Sequence, residues 1–476
     1  MGDSMRHPLL AAAALLGLFP FITGCGHLAP SRAAGVATGY LSHQLCSAVF
    51  VSGRSPESAY REMIEPLTGS VALFMRHTVD RGSAEVRASF AGVADSRAVY
   101  RAPWGCTIVN DAAAIEARPA VTDNTPAPAL LPPIADAGIV EPTDPDLKRA
   151  LDRAFEEPLQ APHRWTQAIV VVHRDRIVAE RYAPGIGIDT PLTGWSATKS
   201  VVNALIGILV RDGHLDVSGP APIAAWSDPN DPRHAITIDQ LLRMTSGLDM
   251  GQSLTSSAFT AFDPTAQMVF TEPDTAAVAQ RAPLAHAPGM VWNYTNANTQ
   301  LLSRIIRDHS GGTPAATLAY AHRELFDKLG MRHVTLEFDA AGTPIGASHM
   351  WAPARDWARF GLLYLNDGVV GGQRILPPGW VDYSARHTPG ADDYGYGAGF
   401  WTNRGDGAGA RYRIRAGMPA DAFMARGSNG QYVVIIPSEQ LVIARFGNSW
   451  TQRGDIESVN RLIVDVIKAL KVGSST

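Results

Sequence analysis

The spacing of apolar residues changes along this chain of 476 residues. Alternating apolar positions on both sides of Arg174-Asp175 predict a β-hairpin, helical spacing dominates the middle of the chain, and β-rich runs return before a final amphipathic helix. The predicted strands are 167–173, 176–182, 394–401, 422–426, 431–437 and 440–446, and the predicted helices are 146–156, 298–308, 313–330, 353–366 and 456–470.

Strands at both ends of residues 146–472 therefore bracket a mostly helical middle. The simplest arrangement is one antiparallel sheet built from both ends, flanked by helices, with an inserted all-helical lobe. The predicted fold class is α+β, and a site is expected in the cleft between sheet and lobe.

A smaller α+β module is predicted at residues 35–110. Its expected elements are strands at 45–51, 70–75, 84–90 and 96–101 and a helix at 56–63. Residues 111–145 are rich in Pro, Ala and Asp, which is typical of a linker or of an extended segment along a surface.

The first 25 residues resemble an export signal. An apolar run at 8–21 follows Arg6 and His7, is too short to span a membrane, and ends in Ile22-Thr23-Gly24-Cys25. This ending is similar to the bacterial lipobox and predicts a lipoprotein anchored to a membrane through Cys25, facing the periplasm. An ordinary signal peptide with a coincidental cysteine is the alternative.

Export changes the interpretation of the two remaining cysteines, Cys46 and Cys106. An oxidising compartment favours a disulfide between them, and two unpaired buried thiols are the alternative. No cysteine and histidine cluster has zinc spacing, so neither a metal nor another cofactor is predicted. The net charge of −4, without a basic run, argues against nucleic acid as a partner.

Candidate chemistry begins at residues 194–200, which predict a turn that becomes a helix. Ser196 then lies at the helix N-terminus, and Lys199 lies one turn on, on the same side. A serine hydroxyl becomes a nucleophile when a base takes its proton, and burial lowers the pKa of a lysine into that role. An N-capping serine with a solvated lysine fits the motif equally well.

A second candidate group is Tyr294-x-Asn296, just before a predicted helix. The tyrosine is able to move a proton between Ser196 and a leaving group if Lys199 depresses its pKa, and the asparagine is able to hold the lysine and a substrate carbonyl. A half-buried aromatic residue and a helix cap are the structural alternative.

Taken together, these motifs resemble the serine β-lactamase and penicillin-recognising superfamily. The resemblance covers roughly residues 167–470 and is strongest to the branch with class C β-lactamases, family VIII esterases, D,D-peptidases and 6-aminohexanoate-dimer hydrolases. The segments that carry it are Ser196-x-x-Lys199, LLRMTSGL at 241–248, Tyr294-x-Asn296 and ARDWARFG at 354–361.

The chain departs from the superfamily at the sheet edge that should face the serine. The superfamily usually has Lys-Thr-Gly or His-x-Gly there, whereas this chain has ARGSNGQ at 425–431, with Ala425 in the basic position. Gly427 suits a close backbone approach, and a simple hairpin turn is the alternative. Arg426 should point away from the face that Ala425 occupies, because side chains alternate along a strand.

The resemblance implies an acyl-enzyme mechanism on a small ester, amide or short peptide-like substrate. Lys199 and Tyr294 would relay the proton, with the choice of base left open, and the Ser196 N–H and a donor near Ser428 would bind the oxyanion. Without the basic residue, an ester or amide hydrolase is favoured over a β-lactamase or D,D-peptidase. A Ser-His-Asp hydrolase lacks its motif here, and an inactive binding protein of the same fold is the rival from another class. The aromatic residues predicted either to line a pocket or to pack in the core are Trp195, Tyr396 and Trp401.

Overall fold

The computed structural model describes residues 30–109, 127–254 and 258–473. The helices in these ranges are α1 Pro30–Cys46, α2 Pro56–Ala59, α3 Glu65–Thr68, α4 Pro145–Ala154, α5 Thr198–Arg211, α6 Ile238–Leu242, α7 Pro264–Thr271, α8 Thr275–Arg281, α9 Asn296–His309, α10 Pro314–Ala321, α11 Asp327–Leu329, α12 Ala354–Leu365, α13 Trp380–Ala385, α14 Ala408–Arg415 and α15 Ile456–Gly473. The strands are β1 Met75–Asp80, β2 Glu85–Phe90, β3 Ala94–Arg101, β4 Gly105–Ile108, β5 Thr166–His173, β6 Arg176–Tyr182, β7 Leu192–Thr193, β8 Thr335–Leu336, β9 Met350–Ala352, β10 Val369–Val370, β11 Gln373–Arg374, β12 Trp401–Thr402, β13 Phe423–Gly427, β14 Gln431–Ile436 and β15 Leu441–Gly447.

The central sheet has six antiparallel strands in the order β12-β13-β14-β15-β5-β6. Its two halves join where β15 pairs with β5, with Leu441 opposite His173 and Ala444 opposite Val170. The predicted fold, one antiparallel sheet built from both ends of the domain, is therefore confirmed.

Helices cover both faces of this sheet. On one face α12 packs against β14, β15 and β5, and α5 lies in the same core. On the other face α4 packs along α15, and their apolar residues share a second core with the sheet. Asp144 caps α4 and Pro145 takes its first position, which explains why the helix begins there.

The helical lobe follows the predicted pattern with one addition. Thr237 and Gln240 form the expected capping box at the start of α6. Thr313 caps α10, and the helical segment continues to Gly330, whose φ is 71°. A small sheet in the order β7-β9-β8, which the sequence did not predict, ties the segment before Ser196 to residues 350–352.

The N-terminal module contains an antiparallel sheet in the order β1-β2-β3-β4, which α1 crosses. A disulfide joins Cys46 at the end of α1 to Cys106 in β4, as predicted. The predicted helix at 56–63 and the strands at 84–90 and 96–101 are also confirmed.

Three predicted strands are wrong. Residues 45–51 continue α1 and then form the π-helix Ser47–Val51, because an unbroken apolar run does not distinguish a buried helix from a buried strand. Residues 70–75 lie mostly in the 3₁₀ helix Gly69–Phe74. Within 394–401 only Trp401 enters a strand, since Gly395 and Gly399 take φ values of 69° and 77°, which a regular ladder does not accommodate.

The described part of the predicted linker, residues 127–144, runs along the larger domain. Leu131 and Ile134 are buried in its core, and the Leu130 N–H donates to the Lys328 carbonyl. This segment is an extended wrap, one of the two predicted alternatives. Residues 110–126 and Cys25 lie outside the described residues.

Candidate active site

Ser196 lies in the 3₁₀ turn Trp195–Ala197, between β7 and α5. The Gly194 N–H donates to the Met350 carbonyl at 2.8 Å, which fixes the entry to the turn. Gly194 is needed there, because a Cβ at this position would lie 2.3 Å from the Trp357 ring. Ser196 is half-buried at the N-terminal end of the helix, where the sequence predicts it.

Lys199 follows in the first turn of α5 and is 2% exposed. Its Nζ contacts three acceptors: Ser196 Oγ at 3.2 Å, Asn296 Oδ1 at 2.7 Å and the Ala347 carbonyl at 2.8 Å. Burial of the ammonium lowers the pKa of Lys199 from 10.5 to about 7. A lysine with this pKa is half neutral near pH 7 and is able to accept a proton.

The start of α9 positions Asn296. Thr295, and not Asn296, is the N-cap, with its side chain accepting from the Ala297 N–H at 3.4 Å. The Asn296 amide is therefore free to hold Lys199. The alternative in which Asn296 caps the helix is wrong.

Tyr294 lies beside the lysine and is 2% exposed. The Nζ of Lys199 is 5.0 Å from the centre of its ring. Burial raises the pKa of Tyr294, and its hydrogen bond with Ser196 and the charge of Arg426 offset this only in part. The condition for Tyr294 to take the Ser196 proton, a phenol pKa depressed by Lys199, is therefore not met, and the phenol stays protonated near pH 7.

The end of β13 approaches the serine turn very closely. A Cβ at Gly427 would lie 2.2 Å from the Gly194 carbonyl oxygen and 3.0 Å from the Ser196 nitrogen. Gly427 pairs with Gln431 in the ladder, and Ser428 begins the short 3₁₀ turn between β13 and β14. This geometry is the close backbone approach that the sequence predicts.

An open cleft of about 830 Å³ lies in front of these groups. Ser196, Tyr294, Gly427 and Ser428 line it. The structure therefore brings the predicted nucleophile, tyrosine and β13 residues together at one surface, with Lys199 and Asn296 behind them.

With this geometry in view, the sequence comparison is decisive. A sequence model of the Beta-lactamase family matches residues 151–468. The chain belongs to the Beta-lactamase family. This family is one of serine hydrolases, and the matched residues include every group described above.

Three similar proteins illustrate the family. A 6-aminohexanoate-dimer hydrolase of Paenarthrobacter ureafaciens is 25% identical over 248 residues, which cover 50% of this chain and 59% of that protein, less than two thirds of its length. The solved structure of a proposed 6-aminohexanoate-dimer hydrolase from Bacillus anthracis is 23% identical. The match covers 72% of this chain and 88% of that protein's chain, with a TM-score of 0.55. A family VIII carboxylesterase is 15% identical and covers 70% of this chain and 99% of its own, with a TM-score of 0.51. At these identities the two structures show a shared fold.

The Beta-lactamase domain of this chain carries arginines in its cleft. Ala425 is fully buried in the core, and Arg426, on the other face of β13, lines the cleft beside Tyr294. The alternation of the strand is as predicted, but the cleft lies on the Arg426 side. Arg426 stacks over Trp401 at 5.1 Å and donates to the Arg453 carbonyl.

Arg453 lies at the same wall of the cleft, 5.1 Å over the Tyr412 ring. Within the described ranges, neither Arg426 nor Arg453 makes a salt bridge to a carboxylate. The buried Arg413 also lines the cleft and bonds to Asn403 and backbone carbonyls. Asp393 also lines the cleft and is exposed.

The three predicted pocket aromatics have different places. Trp401 lines the cleft. Tyr396 is buried behind Tyr294, with ring centres 5.5 Å apart. Trp195 turns away from the cleft and stacks on Tyr40 of α1.

The sequence missed three contributors to the site. The Ala347 carbonyl holds Lys199, and Ser253 accepts from the Asn296 N–H at 3.3 Å. A backbone carbonyl carries no residue-type signal, and Ser253 lies in an irregular segment. Arg453 also escaped notice, because it follows β15 without a motif.

No group of three or more His, Cys, Asp or Glu side chains in the described ranges is arranged to hold a metal ion. No helix in the same ranges is long and apolar enough to cross a membrane.

Proposed function

We propose that this chain is a serine hydrolase that cleaves an ester or amide through an acyl-enzyme on Ser196. The observation that carries the proposal is the set of three contacts of Lys199. When the amine is neutral, its two N–H groups donate to Asn296 Oδ1 and to the Ala347 carbonyl. Its lone pair then faces Ser196 Oγ at 3.2 Å, as a general base requires.

In the proposed reaction the Ser196 proton moves to Lys199 while Oγ forms a bond to the substrate carbonyl carbon. The carbonyl π electrons move to the oxygen, and the Ser196 N–H and a donor near Ser428 stabilise the oxyanion, at about 3 kcal/mol for each donor. When the oxyanion collapses, the bond to the leaving group breaks and Tyr294 donates a proton to it. Lys199 returns its proton to Tyr294. Water then attacks the acyl carbonyl carbon and gives one proton to Lys199. When this second oxyanion collapses, the bond to Ser196 Oγ breaks and Oγ takes the proton from Lys199, which releases the acid and restores the free enzyme.

The pKa directions support this division of labour. Lys199, with a pKa of about 7, is available as a neutral base near pH 7, whereas Tyr294, whose pKa is raised by burial, still carries the proton that the leaving group needs. Of the two candidate general bases, Lys199 and Tyr294, we therefore propose Lys199.

The two cleft arginines favour a substrate that carries a carboxylate. Arg426, which lies in β13 two residues before Ser428, and Arg453, whose carbonyl accepts from Arg426, both line the cleft. The exposed carboxylate of Asp393, which lines it too, favours a cationic group elsewhere on the substrate. An ω-amino acid amide dimer has this polarity, as the name of the Paenarthrobacter relative suggests.

The test of the reaction uses the chain from residue 26, which keeps every described residue, beside Ser196→Ala. The panel contains p-nitrophenyl acetate, the linear 6-aminohexanoate dimer and a chromogenic cephalosporin. Turnover that disappears in Ser196→Ala, with an acyl adduct on the wild type by intact mass, supports the mechanism. Absence of both turnover and adduct in the wild type would favour the inactive binding protein, and preference for the cephalosporin would favour a β-lactamase.

Charge selectivity has its own test. Arg426→Leu should raise KM for mono-p-nitrophenyl glutarate by about tenfold, roughly the value of one charged contact, and leave KM for p-nitrophenyl acetate unchanged. Arg411→Leu, on α14 outside the cleft lining, is the matched control. Equal effects on both esters would contradict the carboxylate proposal.

We also propose export and lipid anchoring through Cys25. The support is the sequence of residues 1–25 together with the disulfide between Cys46 and Cys106, since disulfides persist outside the cytoplasm. Metabolic labelling with a palmitate analogue should mark the wild type and not Cys25→Ala. Labelling of both would contradict the anchor.

A further inference from the structure

The N-terminal helix α1 reaches the candidate active site although it lies outside the residues that match the family. The Tyr40 ring stacks on the Trp195 ring with centres 6.1 Å apart and planes 7° from parallel. One turn later, Gln44 Nε2 lies 3.4 Å from His349 Nε2. Residues four apart share a helix face, so one face of α1 contacts two segments of the site.

The first of these segments is the serine turn itself. Trp195 immediately precedes Ser196 and has a φ of 44°, in the left-handed region that a bulky side chain rarely adopts. Such a conformation is strained and persists only where the surroundings hold it. The surroundings of Trp195 are Tyr40 on one side of the ring, His349 at 6.3 Å edge-on, and Gly427 against its Cβ.

The second segment carries the partner of the lysine. Ala347, whose carbonyl accepts from Lys199, is followed by Ser348 and His349. Ser348 Oγ and His349 Nδ1 are 2.6 Å apart, which orients the imidazole that Gln44 and Trp195 contact. The contacts of α1 therefore reach both the turn that carries Ser196 and the segment 347–349 that holds Lys199.

The helix is held firmly in this position. Gly39 lies so close to α7 that a Cβ would be 2.1 Å from the Phe270 carbonyl oxygen. After Cys46, which the disulfide ties to β4, Ser47 Oγ donates to the buried Glu337 at 2.7 Å. A fixed helix is what a positioning contact needs, because displacements of about 1 Å at the reacting atoms are costly.

We infer that Tyr40 is a positioning residue of this enzyme: by stacking on Trp195 it holds the turn that presents Ser196, so that the N-terminal module is part of the active-site framework. The inference rests on the proposed function for its kinetic consequence. Its structural consequence, a more mobile serine turn without Tyr40, does not depend on activity.

The experiment compares three variants of the chain from residue 26. Tyr40→Leu removes the stacked ring, and Tyr40→Phe keeps the ring and loses only the hydroxyl bond to the Met63 carbonyl. Tyr60→Leu is the matched control, because Tyr60 is half-buried in the same module and stacks on His77 at 4.8 Å, away from Trp195. If Tyr40→Leu does not fold, Tyr40→Met, an unbranched side chain that fills irregular gaps, takes its place.

Tyr40→Leu should lower kcat for p-nitrophenyl acetate by about tenfold or more while KM changes less than about twofold, since the chemistry is misaligned and the cleft is intact. Tyr40→Phe and Tyr60→Leu should stay within about twofold of the wild type. Hydrogen exchange should be faster at residues 194–200 in Tyr40→Leu and unchanged there in Tyr60→Leu.

The outcomes separate the two proposals. Equal kcat and equal exchange in Tyr40→Leu and Tyr60→Leu overturn the role of Tyr40 and leave the hydrolase standing. A wild type without turnover overturns the proposed function, and the exchange comparison alone then decides whether Tyr40 holds the turn.

Discussion

Replacing Lys199 by Met tests the central claim about the base. Methionine has a similar length and carries no charge, so the cavity stays filled while the proton acceptor is lost. We expect turnover to fall by about a thousandfold or more, since general base assistance to the nucleophile disappears. The loss of turnover alone does not show whether Lys199 is neutral in the folded chain. The pH dependence of the effect of Lys199→Met on the free energy of unfolding tests this.

The magnitude follows from the pKa of Lys199, 10.5 when solvated and about 7 in the folded chain. Between these two pH values the unfolded chain binds the extra proton, so the free energy of unfolding of the wild type rises with pH across this window. Below about pH 7 both states are protonated and above about pH 10.5 neither is, so the contribution is flat there. Each pH unit corresponds to about 1.36 kcal/mol, so the whole window is worth about 5 kcal/mol and the part from pH 7 to 9 about 2 kcal/mol.

Lys199→Met lacks this dependence. The variant leaves Asn296 Oδ1 and the Ala347 carbonyl without their donor, but that cost is the same at every pH. The neighbouring His349 has a pKa lowered well below 6.5 by burial and stays neutral throughout the window. The difference in stability between wild type and variant should therefore shift in favour of the wild type by about 2 kcal/mol from pH 7 to pH 9.

Urea unfolding at pH 7, 8 and 9 measures this difference, with Lys148→Met, which removes an exposed lysine, as the control for loss of a positive charge. In parallel, kcat/KM of the wild type should rise about tenfold for each pH unit below 7 and level off above it, because only the neutral amine is a base. A stability difference that does not change with pH, together with activity that still rises at pH 9, would refute the neutral-lysine mechanism.

Three further predictions follow from the same geometry. Gly427→Ala should lower kcat by about a hundredfold, because its Cβ would meet the Gly194 carbonyl at 2.2 Å, whereas Gly187→Ala, whose nearest atom is 3.7 Å away, should be neutral in the same ester assay. Replacing Cys46 and Cys106 by Ser should lower the free energy of unfolding by about 4 kcal/mol in urea titrations, because the disulfide closes a loop with a sequence separation of 60 residues. Tyr294→Phe should slow hydrolysis of an amide by about a hundredfold and that of p-nitrophenyl acetate much less, since p-nitrophenolate leaves without a proton; equal effects would contradict its role as proton donor.

Much of the fold was predictable because its signals are local. The alternation around Arg174-Asp175, the capping box at Thr237 and the Thr313-Pro314 helix start each depend on neighbours within a few residues. The same holds for Ser196 and Lys199, because residues three apart lie on the same side of any helix. The prediction of an element was wrong where the spacing of apolar residues fits both a helix and a strand, as in the run 45–51, or where glycines interrupt an apparent strand.

The remaining features of the site depend on contacts between distant segments. Trp195 was expected either in a pocket or in the core, and nothing near it in the sequence indicates that its partner is Tyr40. Likewise the direction in which the pKa of Tyr294 shifts depends on contacts that the neighbouring sequence does not indicate. Burial of the phenol raises that pKa, and the hydrogen bond with Ser196 and the charge of Arg426 offset the rise only in part.

Burial also explains why the Ser196-x-x-Lys199 motif alone carries so little information. A serine and a lysine one turn apart on an exposed helix would be a capped N-terminus and a solvated ammonium, with no base present at pH 7. Here α5 is buried from Thr198 to Leu209, and the lobe supplies the Asn296 amide and the Ala347 carbonyl that hold the amine. The central sheet closes the opposite side through Gly427. We therefore expect the proposed chemistry to depend on the enclosure of the motif, and an alteration that lets water reach Lys199 should inactivate the site even with all motif residues in place.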